Sequence, residues 1–303
     1  MSLRQASFPR RIPPVLLRRI DKADPADPLA RQFEPQPDEA LRTPEDMDDP
    51  IGDQSHAPVP GVVRRHADRA LLMPTLACPV HCRFCFRRDR VGAGALTPSD
   101  LKRALAYLRN EPELREIILS GGDPLMLPPK RLGTLMTEIA GWPNIEILRI
   151  HTRVPIARPE RIDRAMLKAL GIVKPVFLVL HCNHANELGP EARQAIRRLA
   201  KAGLALLSQT VLLKGVNDRI ENLAALMRAL LAAGVKPYYL HHPDRAPGTA
   251  QFRPSLAEGV ALVRALRDQL SGLAQPLYIL DNPKGLGKRP VPAWTRTDLE
   301  GLF

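Results

Sequence analysis

From Ala70 onward the 303-residue chain alternates short apolar runs with amphipathic helical patterns. The repeat is about thirty residues, and this period restricts the available folds more than any other feature. Candidate strands begin near Ala70, Arg115, Ile145, Val176, Leu204, Lys236 and Leu277. Between them lie helices with legible ends. Thr97 can cap a helix that starts at Pro98 and carries Leu101, Ala104, Leu105 and Leu108 on one face. A later stripe of Leu223, Leu226, Met227, Leu230 and Leu231 stops at Gly234. Strand, helix, strand in this order requires parallel pairing through right-handed crossovers. The expectation is an α/β fold, either doubly wound or, preferably, a partial parallel (β/α)6 barrel.

No glycine-rich dinucleotide fingerprint follows the first strand. A cysteine loop sits there instead, Cys78-Pro79-Val80-His81-Cys82-Arg83-Phe84-Cys85. Three thiols spaced C-x3-C-x2-C can bind three irons of a cubane and leave the fourth open to a cofactor. A structural zinc would ordinarily need a fourth ligand and paired C-x2-C knuckles. Buried thiols or a disulfide are the plain alternatives. Parallel barrels gather their chemistry at the C-terminal ends of strands. The cysteine loop, Gly121-Gly122-Asp123-Pro124, His151 and His181 follow strands one to four, which would bring them to one mouth.

Composition narrows the setting. Forty-four basic against 32 acidic residues leave a net charge of +12, but the arginines are scattered and form no tail. Aromatic residues make up 4%, too few for base-stacking platforms, so nucleic acid is not the expected partner. The sequence holds neither a signal-peptide core nor an apolar run of about 18 residues, so no membrane role is expected. Cluster thiols suit a reducing cytoplasm. Residues 1–64 contain eleven of the 31 prolines and the acidic patch Glu45 to Asp49, which on composition reads as a flexible arm with short helices. The expected division is an N-terminal extension over residues 1–64 and a barrel over residues 65–303.

With its aromatic Phe84 before the last thiol, the cysteine run resembles the radical S-adenosylmethionine (SAM) enzymes. Further strings resemble the lysine 2,3-aminomutase family within them. These are DPIGDQSHAPVPG (49–61), CRFCFRR (82–88), SGGDPL (120–125), LRIHTRVP (148–155), NHANE (183–187), LLKGVND (212–218), PYYL (237–240) and GLGKRPV (285–291). The resemblance covers roughly residues 50–295. It implies a [4Fe-4S] cluster on Cys78, Cys82 and Cys85, with SAM on the open iron. Gly121, Gly122 and Asp123 would approach SAM, although such a turn in isolation is ordinarily only a turn. His181 and Gln209 match positions near SAM and are equally readable as satisfied polar residues.

The resemblance also implies pyridoxal 5′-phosphate (PLP), held as an imine on Lys288 in a C-terminal PLP-lysine loop that it adds to the barrel. Lys284 is the competing amine. Arg65 and Arg69 match residues that hold the PLP phosphate; His66 stands where the family often has tyrosine, so that contact is not carried over. Arg87 matches the arginine that binds the substrate carboxylate, while Arg88 reads as solvated. Asp244 and Asp281 match two carboxylates that receive the distal ammonium of lysine. The implied reaction moves the amino group of L-lysine from C2 to C3, giving β-lysine with the help of an external electron donor. Its setting is either modification of elongation factor P, to which the short C-terminus inclines, or free-lysine metabolism, to which the GLGKRPV loop inclines. The resemblance also implies that the N-terminal segment folds as helices on the barrel. Homo-oligomer formation stays open, as does another cationic amino acid as substrate. The rival enzyme class, a radical SAM RNA methyltransferase, generally needs further catalytic cysteines, and only Cys182 is left over.

Overall fold

A computed structural model of the chain describes residues 8–282 and 287–292. Two short helices come first, α1 (Pro14–Leu17) and α2 (Pro28–Phe33), followed by strands β1 (Val62–Val63) and β2 (Arg69–Thr75). The chain continues through α3 (Pro98–Arg109), β3 (Glu116–Gly121), α4 (Pro129–Ala140), β4 (Ile147–Thr152), α5 (Val154–Ala157) and α6 (Arg164–Leu170). Next come β5 (Val176–His181), α7 (Pro190–Lys201), β6 (Ala205–Val211), α8 (Ile220–Ala232) and β7 (Lys236–His241). The described chain closes with α9 (Leu256–Gln269), β8 (Leu277–Asn282) and β9 (Gly287–Pro290).

Among the described residues the nine strands form one sheet in sequential order. Strands β2 to β8 pair in parallel, with six helical crossovers, while β1 and β9 add antiparallel edges. The first and last strands do not pair, so the sheet curls into a half-barrel rather than a closed one. This is the partial (β/α)6 barrel expected from the thirty-residue period.

Alternation along each strand divides the sheet into two chemistries. On the outer face, Ile117, Leu119, Leu148, Ile150, Leu178 and Leu180 are fully or almost fully buried in the main apolar core. The inner face is polar at the same strands. Glu116, Ser120, Arg149, His151, His181 and Gln209 line a cavity there. Burying the outer apolar set under helices fixes the register, and a slip by one residue would turn these polar groups into the core.

The N-terminal segment packs on this frame. Leu16, Leu29 and Phe33 are completely buried in the main core. Asp27 caps α2 by accepting from the amides of Leu29 (2.9 Å) and Ala30 (2.7 Å), with Pro28 at the first helical position. The sheet begins at Val62, just ahead of residue 64, because Val62 and Val63 pair with Leu72 and Leu71. No helix of the described residues is long and apolar enough to cross a membrane.

Candidate active site

The inner face and the loops at the C-terminal strand ends enclose a cavity of about 510 Å³. Every residue that the sequence singled out for cofactor or substrate lines it. Cys78, Cys82 and Cys85 stand at one part of the wall; Gly121, Gly122, Asp123, His181 and Gln209 lie on the strand ends; Arg65, Arg69, Arg87, Asp244, Asp281 and Lys288 complete it. Lys284 lies outside the described residues.

The cysteine loop follows β2 and is pinned by the N-terminal segment. The amide of His81 donates to the Arg11 carbonyl (2.9 Å), and that of Arg83 to the Gln32 carbonyl (2.8 Å). The Arg83 guanidinium, 1% exposed, donates to Glu39 at 2.7 Å, so a buried ion pair anchors the middle of the loop. All three thiols are half-buried and free of disulfides. Burial, and then the neighbouring thiols, push Cys85 up to about 12 and Cys78 higher still. Such sulfurs resist ionisation until a cation joins them. Iron on each sulfur would supply that charge, so the donor set fits a cluster. Among the described residues no group of three His, Cys, Asp or Glu side chains is arranged to hold one metal ion. A cubane does not require such an arrangement, since each thiolate takes its own iron.

The Gly-Gly-Asp turn carries a tight packing constraint. A Cβ at Gly122 would lie 2.5 Å from the Ala77 carbonyl oxygen and 2.5 Å from the Leu76 carbonyl carbon. Gly121 adopts φ +108°, a backbone conformation that disfavours side chains. Both glycines let the end of β3 press against the start of the cysteine loop. Asp123 has its own work: one carboxylate oxygen accepts from the Thr152 hydroxyl (2.7 Å) and the Leu125 amide (3.1 Å), the other from the amides of Arg153 (2.6 Å) and Val154 (3.1 Å). Burial raises this carboxyl to about 6 despite those donors. Its carboxylate therefore ties the β3 loop to the β4 loop.

Several buried polar atoms on the inner face have no partner among the described residues. His151 Nε2, His181 Nε2, His241 Nε2 and Gln209 Oε1 are buried and unbonded to the described residues. His181 and Gln209 are register partners on β5 and β6, and the His151 and His181 rings meet edge to face at 5.8 Å. Burial, followed by the Arg153 and Arg87 charges, lowers His181 to about 3; burial also holds His151 and His241 well below the usual range. These rings are neutral at physiological pH and can donate or accept hydrogen bonds. Buried polar atoms are ordinarily satisfied, so this cluster fits polar ligands such as SAM and PLP.

A continuous chain of charges crosses the cavity wall. Lys288 Nζ lies 3.3 Å from Asp281, whose other oxygen takes Arg65 at 2.9 Å. Arg65 also reaches Asp53 at 3.1 Å, and Asp53 holds Arg87 at 2.6 Å. Burial alone would raise Asp53, but Arg87 and Arg65 reverse the effect and hold it below the ordinary carboxylate range. Asp244 contrasts with it. Half-buried and without a hydrogen-bonding partner among the described residues, it is pushed up to about 7 by burial and then by Asp281. Arg69 instead pairs with its neighbour Asp68 at 2.9 Å on a more exposed part of the rim. Arg88 is not merely solvated: it donates to Glu39 at 2.6 Å and to the Gly248 carbonyl at 2.7 Å, because the Arg83–Glu39 pair draws it inward.

Sequence reasoning assigned no role to Asp53, His241, Arg149 or Glu116. Asp53 lies within DPIGDQSHAPVPG, but only the tertiary fold brings it between two arginines. The alternation in PYYLH could have placed His241 on the inner face with Tyr239. Arg149 and Glu116 form a two-bonded pair at 2.7 and 2.8 Å across adjacent strands in the cavity wall.

A half-barrel with three cysteines on its first strand-to-helix loop defines a radical SAM protein. Residues 72–227 match the radical SAM superfamily. An L-lysine 2,3-aminomutase of Escherichia coli (strain K12) is 41% identical over 271 residues, spanning 89% of this chain and 79% of that protein. The L-lysine 2,3-aminomutase of Clostridium subterminale is 36% identical, spanning 92% and 68% respectively. A radical SAM methyltransferase from Sphaerobacter thermophilus shares the fold, with a TM-score of 0.54 at 20% identity over 72% of this chain and 68% of that one. The chain belongs to the lysine 2,3-aminomutase family of the radical SAM superfamily.

Proposed function

We propose that the chain is a PLP-dependent radical SAM isomerase that moves the amino group of L-lysine from C2 to C3 to give β-lysine. The observation that carries this reading is that the three cysteines and Lys288 line one cavity, with Arg87, Asp244 and Asp281 in the same wall. A cluster held by Cys78, Cys82 and Cys85 and reduced by an external donor would, with SAM, supply radical chemistry, and PLP on Lys288 would supply a conjugated system next to the migrating nitrogen.

The protein's part is placement, and a displacement of about 1 Å can lower such a rate on the order of a hundredfold. Arg87 presents a planar guanidinium to the substrate carboxylate, steadied from behind by Asp53 at 2.6 Å. Lys288 would hold PLP. Asp281 pairs with Lys288 at 3.3 Å, and its carboxylate would also receive the distal ammonium of the substrate. Asp244, without a partner among the described residues, completes the ammonium pocket. The neutral histidines orient polar groups without adding charge, and the enclosed cavity keeps water from a radical.

The N-terminal extension belongs to the same machine, since Gln32 and Arg11 hold the cysteine loop through backbone contacts. We place the enzyme in the cytoplasm, where its thiols stay reduced. Anaerobic incubation with SAM, PLP, dithionite and L-lysine, followed by chiral analysis of β-lysine, tests the reading. Absence of β-lysine from protein shown to carry cluster and PLP would sink it.

A further inference from the structure

In the strings LRIHTRVP and NHANE, Arg153 and Glu187 have no role in the chemistry above. The two strings meet at Arg153. This residue follows β4 and is 6% exposed, yet its guanidinium donates from Nη1 to Cys82 Sγ at 2.8 Å. Nη2 donates to Glu187 at 2.7 Å and to Gln32 Oε1 at 3.2 Å. The plane lies against Phe33 (5.0 Å) and Phe84 (5.7 Å), the aromatic within the cysteine motif. Glu187, 1% exposed, is held in turn by the amides of Asn183 (2.8 Å) and His184 (3.0 Å) and by Gln32 Nε2 (3.2 Å). A buried cation is thus aimed at one cluster sulfur by a carboxylate that is itself locked.

We propose that Arg153 is a positioning residue that sets the reduction potential of the cluster through its bond to Cys82, with Glu187 partly offsetting its charge. The proposal rests on Cys82 being a cluster ligand. Reduction adds one electron, and hence one negative charge, to the cluster. A cation with an N–H bond to a ligand sulfur favours that reduced form and raises the potential; a nearby carboxylate opposes it. The two partners must therefore act with opposite signs.

Arg153→Gln removes the cation and Glu187→Gln removes the anion. Each reconstituted variant is titrated with dithionite under EPR, with iron and sulfide counted beforehand. In Arg153→Gln the reduction equilibrium falls on the order of tenfold, about 59 mV for a one-electron couple, and Arg153→Lys recovers part of the loss. In Glu187→Gln the potential rises. A purely structural role would lower cluster content without moving the potential of the clusters that form. An unchanged potential in Arg153→Gln at full cluster loading overturns the proposal. Should that variant take up no cluster, Glu187→Gln decides: a rise supports the proposal, and no shift or a fall overturns it. Wild-type protein that binds no iron or sulfide would instead remove the cluster assignment beneath it.

Discussion

Lys288 and Asp281 face one another across the antiparallel β8–β9 ladder, and their side chains close to 3.3 Å. The edge strand β9 thereby carries an amine back over the mouth of a parallel barrel, opposite a carboxylate from the last parallel strand. Asp281 is 8% exposed and also binds Arg65, so the amine is held beside a carboxylate that already has a second cation.

The first expectation is spectroscopic. Lys288→Ala loses the absorption band of covalently held PLP, whereas Lys284→Ala retains it. Borohydride trapping followed by peptide mapping should place the label on Lys288; a label on Lys284 would refute the assignment.

Asp53 is the shared anion of two arginines, and its removal leaves buried cations uncompensated. Asp53→Asn should destabilise the cofactor-free protein by about 3 kcal/mol, measured by urea unfolding at pH 7.5. It should also raise KM for lysine more than it lowers kcat, because Arg87 loses its support. Unaltered stability and KM would show that the Arg65–Asp53–Arg87 chain has no functional weight.

Asp244 has the opposite signature in pH. Its carboxyl is raised to about 7 by burial, then by Asp281, and is lowered again by Lys288, Arg87 and Arg65. A folded-state value above the unfolded one of about 3.9 means that stability is lost as pH rises from about 4 through 7. Asp244→Asn should therefore raise Tm of the empty protein at pH 8 and leave it nearly unchanged at pH 4. The same substitution should weaken lysine binding at pH 8, where the carboxylate is charged. A Tm gain independent of pH would count against this account.

Gly122 has no room for a side chain. Gly122→Ala should destabilise the protein by about 1–3 kcal/mol, the usual range for overpacking, and lower cluster uptake by displacing the cysteine loop. Thermal unfolding with iron analysis provides the check, and wild-type values on both measures would be the contrary result.

The strands were legible because each carries its own local signal. The expected starts at Val176, Lys236 and Leu277 coincide with the observed ones, and those near Ala70, Arg115, Ile145 and Leu204 differ by one or two residues. Thr97 caps α3 at the Asp100 amide (3.1 Å), and Gly234 sits at φ +79° just beyond α8. Caps, glycines and periodicity act over a few residues and can be read there. The candidate site was legible for a different reason: its cysteines and lysine occur in strings dense enough to carry a resemblance. What those strings did not convey was partnership. Asp53 meets Arg87 from 34 residues away, and Glu187 meets Arg153 from the same separation.

By itself, the sequence determined the repeating strand–helix order, the outward-facing apolar registers and the identity of the groups available for chemistry. Those follow from local periodicity and from side-chain chemistry that needs no neighbour to define it. Only the curled sheet decided which charges are paired: Asp281 with Lys288, Asp53 with two arginines, Arg153 with Glu187, and Asp244 with none of the described residues. Electrostatic character depends on distance and burial, and both come into being only when strand ends remote in sequence close around one cavity.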